Sequence, residues 1–154
     1  VTQTVFPAPR RTSNGMDYNR VCLILAVLEK RLGLRFSSND VYLNVIGGMQ
    51  IDEPASDLGI ALALISSLTD TVIPDDMIAI GELGLAGECR GIANVEQRVK
   101  EAARLGFTKA IIPANSHQRL SADGIEIIQI KNVYDLLRIL RSTSRKNKGD
   151  DNEK

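Results

Sequence analysis

The residues best placed to do chemistry lie in one stretch, Asp52-Glu53-Pro54-Ala55-Ser56-Asp57-Leu58-Gly59-Ile60-Ala61-Leu62-Ala63. A polar turn with a proline runs there into a helix expected from Leu58 to about Leu68, apolar on nearly every side. A helix of that composition is one buried all round. Its N-terminus then holds unpaired amide donors and the positive end of the dipole inside the fold, a place for a nucleophile, an anion or a capping carboxylate. Ser56 and Asp57 compete for that place, and the winner decides whether the domain is an enzyme.

Other chemistry is sparse. The single histidine, His117, sits in the polar segment Asn115-Ser116-His117-Gln118-Arg119, a surface setting that argues against a Ser-His-Asp or Cys-His arrangement. Cys22 and Cys89 have no metal-ligand spacing, so neither a zinc site nor a disulfide framework is expected, and a reducing cytoplasm is the default compartment. No Gly-x-x-x-x-Gly-Lys-Ser/Thr occurs, which excludes a P-loop. Gly84 and Gly87 suggest a hairpin or a close backbone approach rather than a phosphate cradle. Nineteen basic and nineteen acidic side chains cancel, so nucleic-acid binding must come from a local patch or from many copies acting together.

The elements that must position these residues are those of one domain, since 154 residues at 44% apolar content can bury a single core. No run of eighteen apolar residues could span a membrane. The chain opens at Val1, and Val1 to Val5 alternates like a strand already in progress, so a piece of a longer protein is expected, with no signal peptide to read. A loop from Pro7 to Gly15 follows, then a helix capped by Asp17, with Val21, Ile24, Leu25, Leu28 and Leu32 on one stripe and Gly33 as its stop. Arg10, Arg11 and Arg20 flank this entry; such arginines hold carboxylates within the fold or at a subunit contact, or else touch phosphates.

Asp40 to Ile46 alternates as a half-buried strand, and Met77 to Ile80 is a short apolar one closed by Gly81. Asn94, with Gln97 three residues on, reads as a capping box for a helix that buries Val95, Val99, Ala102 and Ala103 and ends at Gly106. Its outer face carries Glu96, Lys100 and Arg104. Lys109 to Pro113 and Ile125 to Ile130 are strands, and Asn132 caps a last amphipathic helix with Val133, Leu136, Leu137 and Leu140 inward. Residues 142–154 have nothing to bury and are expected to be a disordered tail after a domain of residues 1–141. Two strand pairs without an intervening helix make the fold class α+β, a mixed sheet packed by helices.

The stretch from Asp52 to Ala63, with Gly81-Glu82-Leu83-Gly84-Leu85-Ala86-Gly87-Glu88, Arg98-Val99-Lys100-Glu101-Ala102-Ala103-Arg104-Leu105-Gly106-Phe107 and Ile111-Ile112-Pro113, resembles the proteolytic domain of Lon proteases. Pro9-Arg10-Arg11, Gly15-Met16-Asp17-Tyr18-Asn19-Arg20 and Ala26-Val27-Leu28-Glu29-Lys30 extend the resemblance to the C-terminal Lon-like domain of the bacterial RadA (Sms) family, over roughly residues 1 to 140. That resemblance implies the Lon proteolytic-domain fold, of the ribosomal protein S5 domain 2 type. Lon proteases use a serine at the mouth of the buried helix and a lysine on the later helix as an amine base. Overlaying the shared segments puts Asp57 at the serine position and Glu96 at the lysine position, so both members of the dyad are replaced. No peptidase activity and no catalytic residue is expected.

The two carboxylates are expected to come close, with Asp57 capping the helix and Arg20, Arg90 or Arg98 balancing their charge; no metal is assigned there. The resemblance further implies a parent with an upstream zinc-binding module and a RecA-like ATPase, using Zn2+, ATP and Mg2+. It would form a hexameric DNA motor for branch migration in repair and recombination, acting on single-stranded or branched DNA, with a recombinase filament as a further partner. The Lon-like domain would hold the ring together and contact DNA, with Arg10, Arg11, Arg98, Lys100 and Arg104 as phosphate or subunit contacts. Two alternatives stand beside it. One is a working Ser-Lys peptidase built from Ser56 and Lys100. The other is a phosphate-binding relative of the sugar and mevalonate-type kinases that share the wider fold group, for which Gly84 and Gly87 are the support.

Overall fold

The computed structural model describes residues 1–114 and 124–150, with side chains through 143. His117 and its neighbours Asn115 to Arg119 therefore lie outside the described residues, as do residues 151–154.

The chain opens with β1 (Thr2–Gln3) and β2 (Arg11–Asn14), which flank β3 (Asn39–Asn44): β1 pairs antiparallel and β2 parallel with it. The strand expected over Val1 to Val5 shrinks to two exposed residues, because Val5 and Phe6 have no apolar surface to pack on and stay open to solvent. Between β2 and β3 runs α1 (Tyr18–Leu32). Asp17 caps it by accepting the Arg20 N–H at 2.8 Å, and Gly33 ends it in the left-handed region at φ 67. Its stripe Val21, Ile24, Leu25 and Leu28 is buried, as the spacing requires.

A tight turn, Pro54–Ser56, feeds α2 (Asp57–Thr69). Leu58, Ala61, Leu62, Leu64 and Ile65 are buried, but Ala63 and Ser67 are exposed and Ile60 is half-buried, so the helix is not enclosed on every side. The alanine and serine on that open face explain the correction: alanine counts as apolar without demanding burial, and serine is at home in water.

The second sheet holds β4 (Met77–Ala79), β7 (Lys109–Pro113) and β8 (Glu126–Ile130), all parallel and in that order of pairing around β7. Parallel strands with helices on both faces read as continuous apolar runs. Accordingly, Ile111 joins the main core with α1, α2 and α4 (Val133–Asp150), while Ala110 and Ile112 join Val95, Val99 and Ala102 of α3 (Val95–Arg104) in a second cluster. Alternate side chains of one strand thus serve two cores. With β5 (Glu82–Leu83) and β6 (Cys89–Arg90) forming an antiparallel hairpin, the class is mixed α+β.

Two helix ends differ from expectation. Asn94 takes a left-handed conformation, φ 56, and its side chain makes no cap hydrogen bond, so the capping box with Gln97 does not form; capping wants an extended residue at that position. Asn132 does cap α4 through the Tyr134 N–H at 3.1 Å, and Asp135 answers by accepting from the Lys131 and Asn132 amides, a reciprocal box. The helix continues to Asp150, past Ser142, where the sequence suggests a tail. Leu140 is its last buried apolar residue among the described side chains, and beyond it Ser142 and Thr143 donate their hydroxyls back to the Ile139 carbonyl at 2.7 and 3.0 Å, which satisfies them within the helix.

Candidate functional site

The mouth of α2 is assembled from three elements. The Leu58 N–H donates to the Gly81 carbonyl at 3.1 Å and the Gly81 N–H to the Ala55 carbonyl at 2.8 Å, which lock the start of the helix against the chain leading into β5. Gly81 permits this approach: a Cβ there would stand 2.6 Å from Leu58 Cδ1 and 2.7 Å from Pro113 Cγ. The Asp57 side chain is 1% exposed, one of two buried polar or charged side chains, with Asp40, among the described residues.

Asp57 is expected to cap its own helix, and it does not. The turn Pro54–Ser56 enters α2 with Ser56 already helical, φ −80 and ψ −13, so no extended residue is available for a cap and Asp57 becomes the first residue of the helix proper. Its carboxylate turns sideways. Oδ1 accepts from Arg20 Nε at 2.8 Å, Oδ2 accepts from Arg20 Nη2, and Oδ2 also accepts from the Leu83 N–H at 3.0 Å. A fork-to-fork pair of this kind fixes orientation as well as charge. The Asp57 carboxylate holds the Arg20 guanidinium above its ordinary pKa. Glu82 adds a weaker contact to Arg20 Nη2 at 3.9 Å. The clamp therefore joins α1, α2 and β5 through one buried charge, placed in the first turn of α2 where the dipole favours an anion.

Glu96 does not share this clamp. It lies on the exposed face of α3, 2.7 Å from Lys100 Nζ four residues on. Of the other arginines expected to balance the site, Arg90 pairs with Glu88 at 2.6 Å, and Arg98 reaches Glu53 at 3.0 Å and the Ala93 carbonyl at 3.1 Å. Arg98 holds the Glu53 carboxyl below its usual range, with the Ala55 amide adding to the effect. Sequence reasoning missed Glu53 and Glu82, whose partners stand 45 residues and 62 residues away and leave no local signal.

Beside the clamp opens a cleft of about 240 Å³, lined by Asp17, Asp52, Glu53, Asp57, Ser56 and Arg20 among others, with no lysine or histidine among its described lining residues. Ser56 donates its hydroxyl to the Glu53 carbonyl at 2.6 Å while Lys100 is held by Glu96, so the Ser56–Lys100 pair expected of an alternative dyad makes no contact with itself. Among the described residues no group of three or more His, Cys, Asp or Glu side chains is placed to hold a metal ion. Gly84 and Gly87 form the β5–β6 turn, where the Gly84 N–H donates to the Glu88 carbonyl at 2.8 Å and the Glu88 carboxylate fills the space a Gly84 Cβ would need. That turn is closed by its own side chains rather than open to a phosphate.

The remaining candidate contact residues are spread out. Arg11 donates to the Arg10, Asn39 and Phe36 carbonyls, at 3.0, 2.5 and 2.7 Å. The Arg10 guanidinium lies 3.6 Å from the centroid of the Phe6 ring, a cation–π stack, and its backbone N–H lowers the pKa of Asp40. Arg104 forms a bidentate pair with Glu101 at 2.6 and 2.9 Å.

An α+β domain with a clamped carboxylate at the mouth of its central helix has the layout of a Lon-like domain, as the sequence motifs suggest. Residues 19–116 match the family model described as subunit ChlI of Mg-chelatase, and the chain belongs to that family. It is also similar to proteins named DNA repair protein RadA, which bears out the resemblance to the RadA Lon-like domain. With the Bacillus subtilis protein it is 49% identical over 139 residues, 90% of this chain and 30% of the relative. With that of Synechocystis it is 46% identical over 134 residues, 87% and 26%, and with that of Halalkalibacterium halodurans 44% over 140 residues, 90% and 31%. The chain thus spans about a third or less of the length of these curated relatives. No described helix is long and apolar enough to cross a membrane.

Proposed function

We propose that this chain is the non-proteolytic Lon-like domain of a RadA-type DNA repair and recombination protein, serving as a ring-forming scaffold and DNA-contact module. The single observation that carries the non-proteolytic reading is the state of Asp57. At the position where Lon proteases hold the nucleophile stands a carboxylate whose oxygens accept three hydrogen bonds from Arg20 and Leu83. Such a group has no hydroxyl proton for a base to remove, and three of its acceptor positions are taken. Glu96 and Lys100 pair with each other on the surface, and no lysine is among the described residues that line the cleft beside Asp57.

In the parent protein, the upstream zinc-binding and RecA-like ATPase parts would supply Zn2+, ATP and Mg2+ chemistry, and this domain would hold six copies in register around DNA. Neutral net charge is compatible with that role, because a ring repeats one basic patch and weak phosphate contacts add along a strand. A casein or fluorogenic-peptide assay on the chain is expected to show no turnover above a buffer blank; turnover abolished by Ser56→Ala or Lys100→Ala would overturn the reading. Light scattering is expected to give a closed oligomer in the parent protein, and a monomer at all concentrations would remove the scaffold role.

A further inference from the structure

The cations picked out by sequence as DNA or subunit contacts are largely engaged within the fold: Arg11 by three carbonyls, Arg98 by Glu53, Lys100 by Glu96 and Arg104 by Glu101. A different surface holds its charge open. Lys131 precedes α4, and Tyr134, Arg138 and Arg141 follow at spacings of four and three residues, one stripe along the helix. All four are exposed, Tyr134 by 55% and the Arg138 side chain by 79%. Tyr134, Leu137, Arg138 and Arg141 line a shallow groove of about 490 Å³.

Arg31, at the end of α1, is a further exposed cation close to the start of α4. A Cβ placed on Gly87 would lie 3.0 Å from Arg31 Cγ and 3.2 Å from Val133 Cγ2, so the arginine stem runs beside the first turn of α4. Arg31, Lys131 and Arg141 make no ion pair among the described residues. Arg138 has Asp135 at 2.7 Å, but the other oxygen of Asp135 is committed to the helix cap, and a pair three residues apart whose arginine is 79% exposed is worth only about 0–1 kcal/mol. A competing phosphate displaces it at little loss.

We propose that this stripe, resting on the DNA-contact reading above, is where the domain holds a single nucleic-acid strand, with Arg31, Lys131, Arg138 and Arg141 on phosphates and Tyr134 stacked on a base. From Tyr134 to Arg141 the helix rises about 10 Å, room for more than one backbone phosphate beside a stacked base. An exposed ring among cations supplies what sequence-tolerant strand binding uses, a charged track and a stacking face. The cleft beside Asp57 carries Asp17, Asp52 and Glu53 on its rim and is a poor place for the same ligand.

The test is anisotropy of a fluorescein-labelled oligothymidylate titrated with this chain over a range of salt, with circular dichroism and sizing on every variant. Arg138→Ala/Arg141→Ala is expected to weaken binding about tenfold and to flatten the log–log salt dependence by about 1.4, two phosphate contacts at about 0.7 each for a single strand. Arg138→Lys/Arg141→Lys is expected to keep the slope, and Tyr134→Ala to weaken the single strand more than a blunt duplex. Arg98→Ala/Arg104→Ala is expected to stay within twofold of the wild type. If that control loses affinity while the α4 variant does not, the placement is wrong and the DNA reading survives. No binding by the wild type at low salt overturns both. A shift in oligomeric state with the salt slope unchanged assigns the stripe to a second copy of the chain and ends the proposal.

Discussion

Replacing Arg20 with alanine removes the guanidinium from Asp57 and leaves a carboxylate 1% exposed with the Leu83 N–H as its remaining partner. Breaking a buried pair from one side leaves an uncompensated charge and is destabilising by about 3–5 kcal/mol. The opposite truncation, Asp57→Asn, is expected to be milder, about 1–2 kcal/mol. The asparagine keeps an oxygen for the Leu83 amide, and Arg20, whose side chain is 32% exposed, can turn to water or to Glu82 at 3.9 Å. With about 2–4 °C per kcal/mol for a chain of this size, Arg20→Ala lowers Tm by roughly 6–20 °C and Asp57→Asn by roughly 2–8 °C. In the double variant, removing Arg20 adds less than about 1 kcal/mol to Asp57→Asn, giving a coupling of at least about 2 kcal/mol. Urea unfolding followed by far-ultraviolet circular dichroism measures all three. An Arg20→Ala loss below about 1 kcal/mol, or Asp57→Asn the worse of the two, refutes the claim that a buried carboxylate is what joins α1, α2 and β5.

Three further outcomes follow from the same geometry. Gly81→Ala drives a methyl into Leu58 and Pro113 and is expected to cost about 1–3 kcal/mol of stability, read from the urea midpoint. Asp40, Glu53 and Asp76 are held below their ordinary pKa values by the Arg10 amide, the Arg98 guanidinium and the Thr108 hydroxyl in turn. Because the folded values lie below the unfolded ones, their contribution is complete from about pH 7 to 5 and is lost as pH falls below about 4; a stability that rises there contradicts this. Burial, with Asp135 and Glu88 adding, pushes the Cys89 thiol up to about 12. A thiol reagent at about pH 8 should therefore titrate the half-buried Cys22 alone in the native chain and both cysteines in urea.

What the sequence discloses here is local chemistry. Asp17 and Asn132 cap because a short polar side chain before an apolar stripe has a nearby amide to accept from, and Gly33 ends a helix because it alone enters the left-handed region cheaply. The run Ala110 to Ile112 is recognisable as a strand buried on both faces for the same reason. Partner choice over distance is a different matter. Arg20 and Asp57 stand 37 residues apart, and nothing near either one says that the acid will turn from its own helix to a guanidinium on another. The decisive feature is the helical dihedral of Ser56, set by the preceding tight turn, and a turn of that kind is hard to distinguish from a cap when only residue types are known.

The clamp also bears on the proposed non-proteolytic role. A catalytic serine and its amine must be held without fully satisfying partners, a strain the rest of the fold has to offset. Here the opposite condition holds: among the described residues no buried side-chain nitrogen or oxygen lacks a hydrogen-bond partner, and the charge at the mouth of α2 is spent on Arg20. Asp57→Ser would then neither cleave peptide nor restore a reactive site, since Glu96 and Lys100 remain paired on the surface and Arg20 is left facing an uncharged hydroxyl. On the proposed non-proteolytic reading, a change at Asp57 loses the Arg20 clamp before any reactivity is gained, so these contacts favour a structural role for the site.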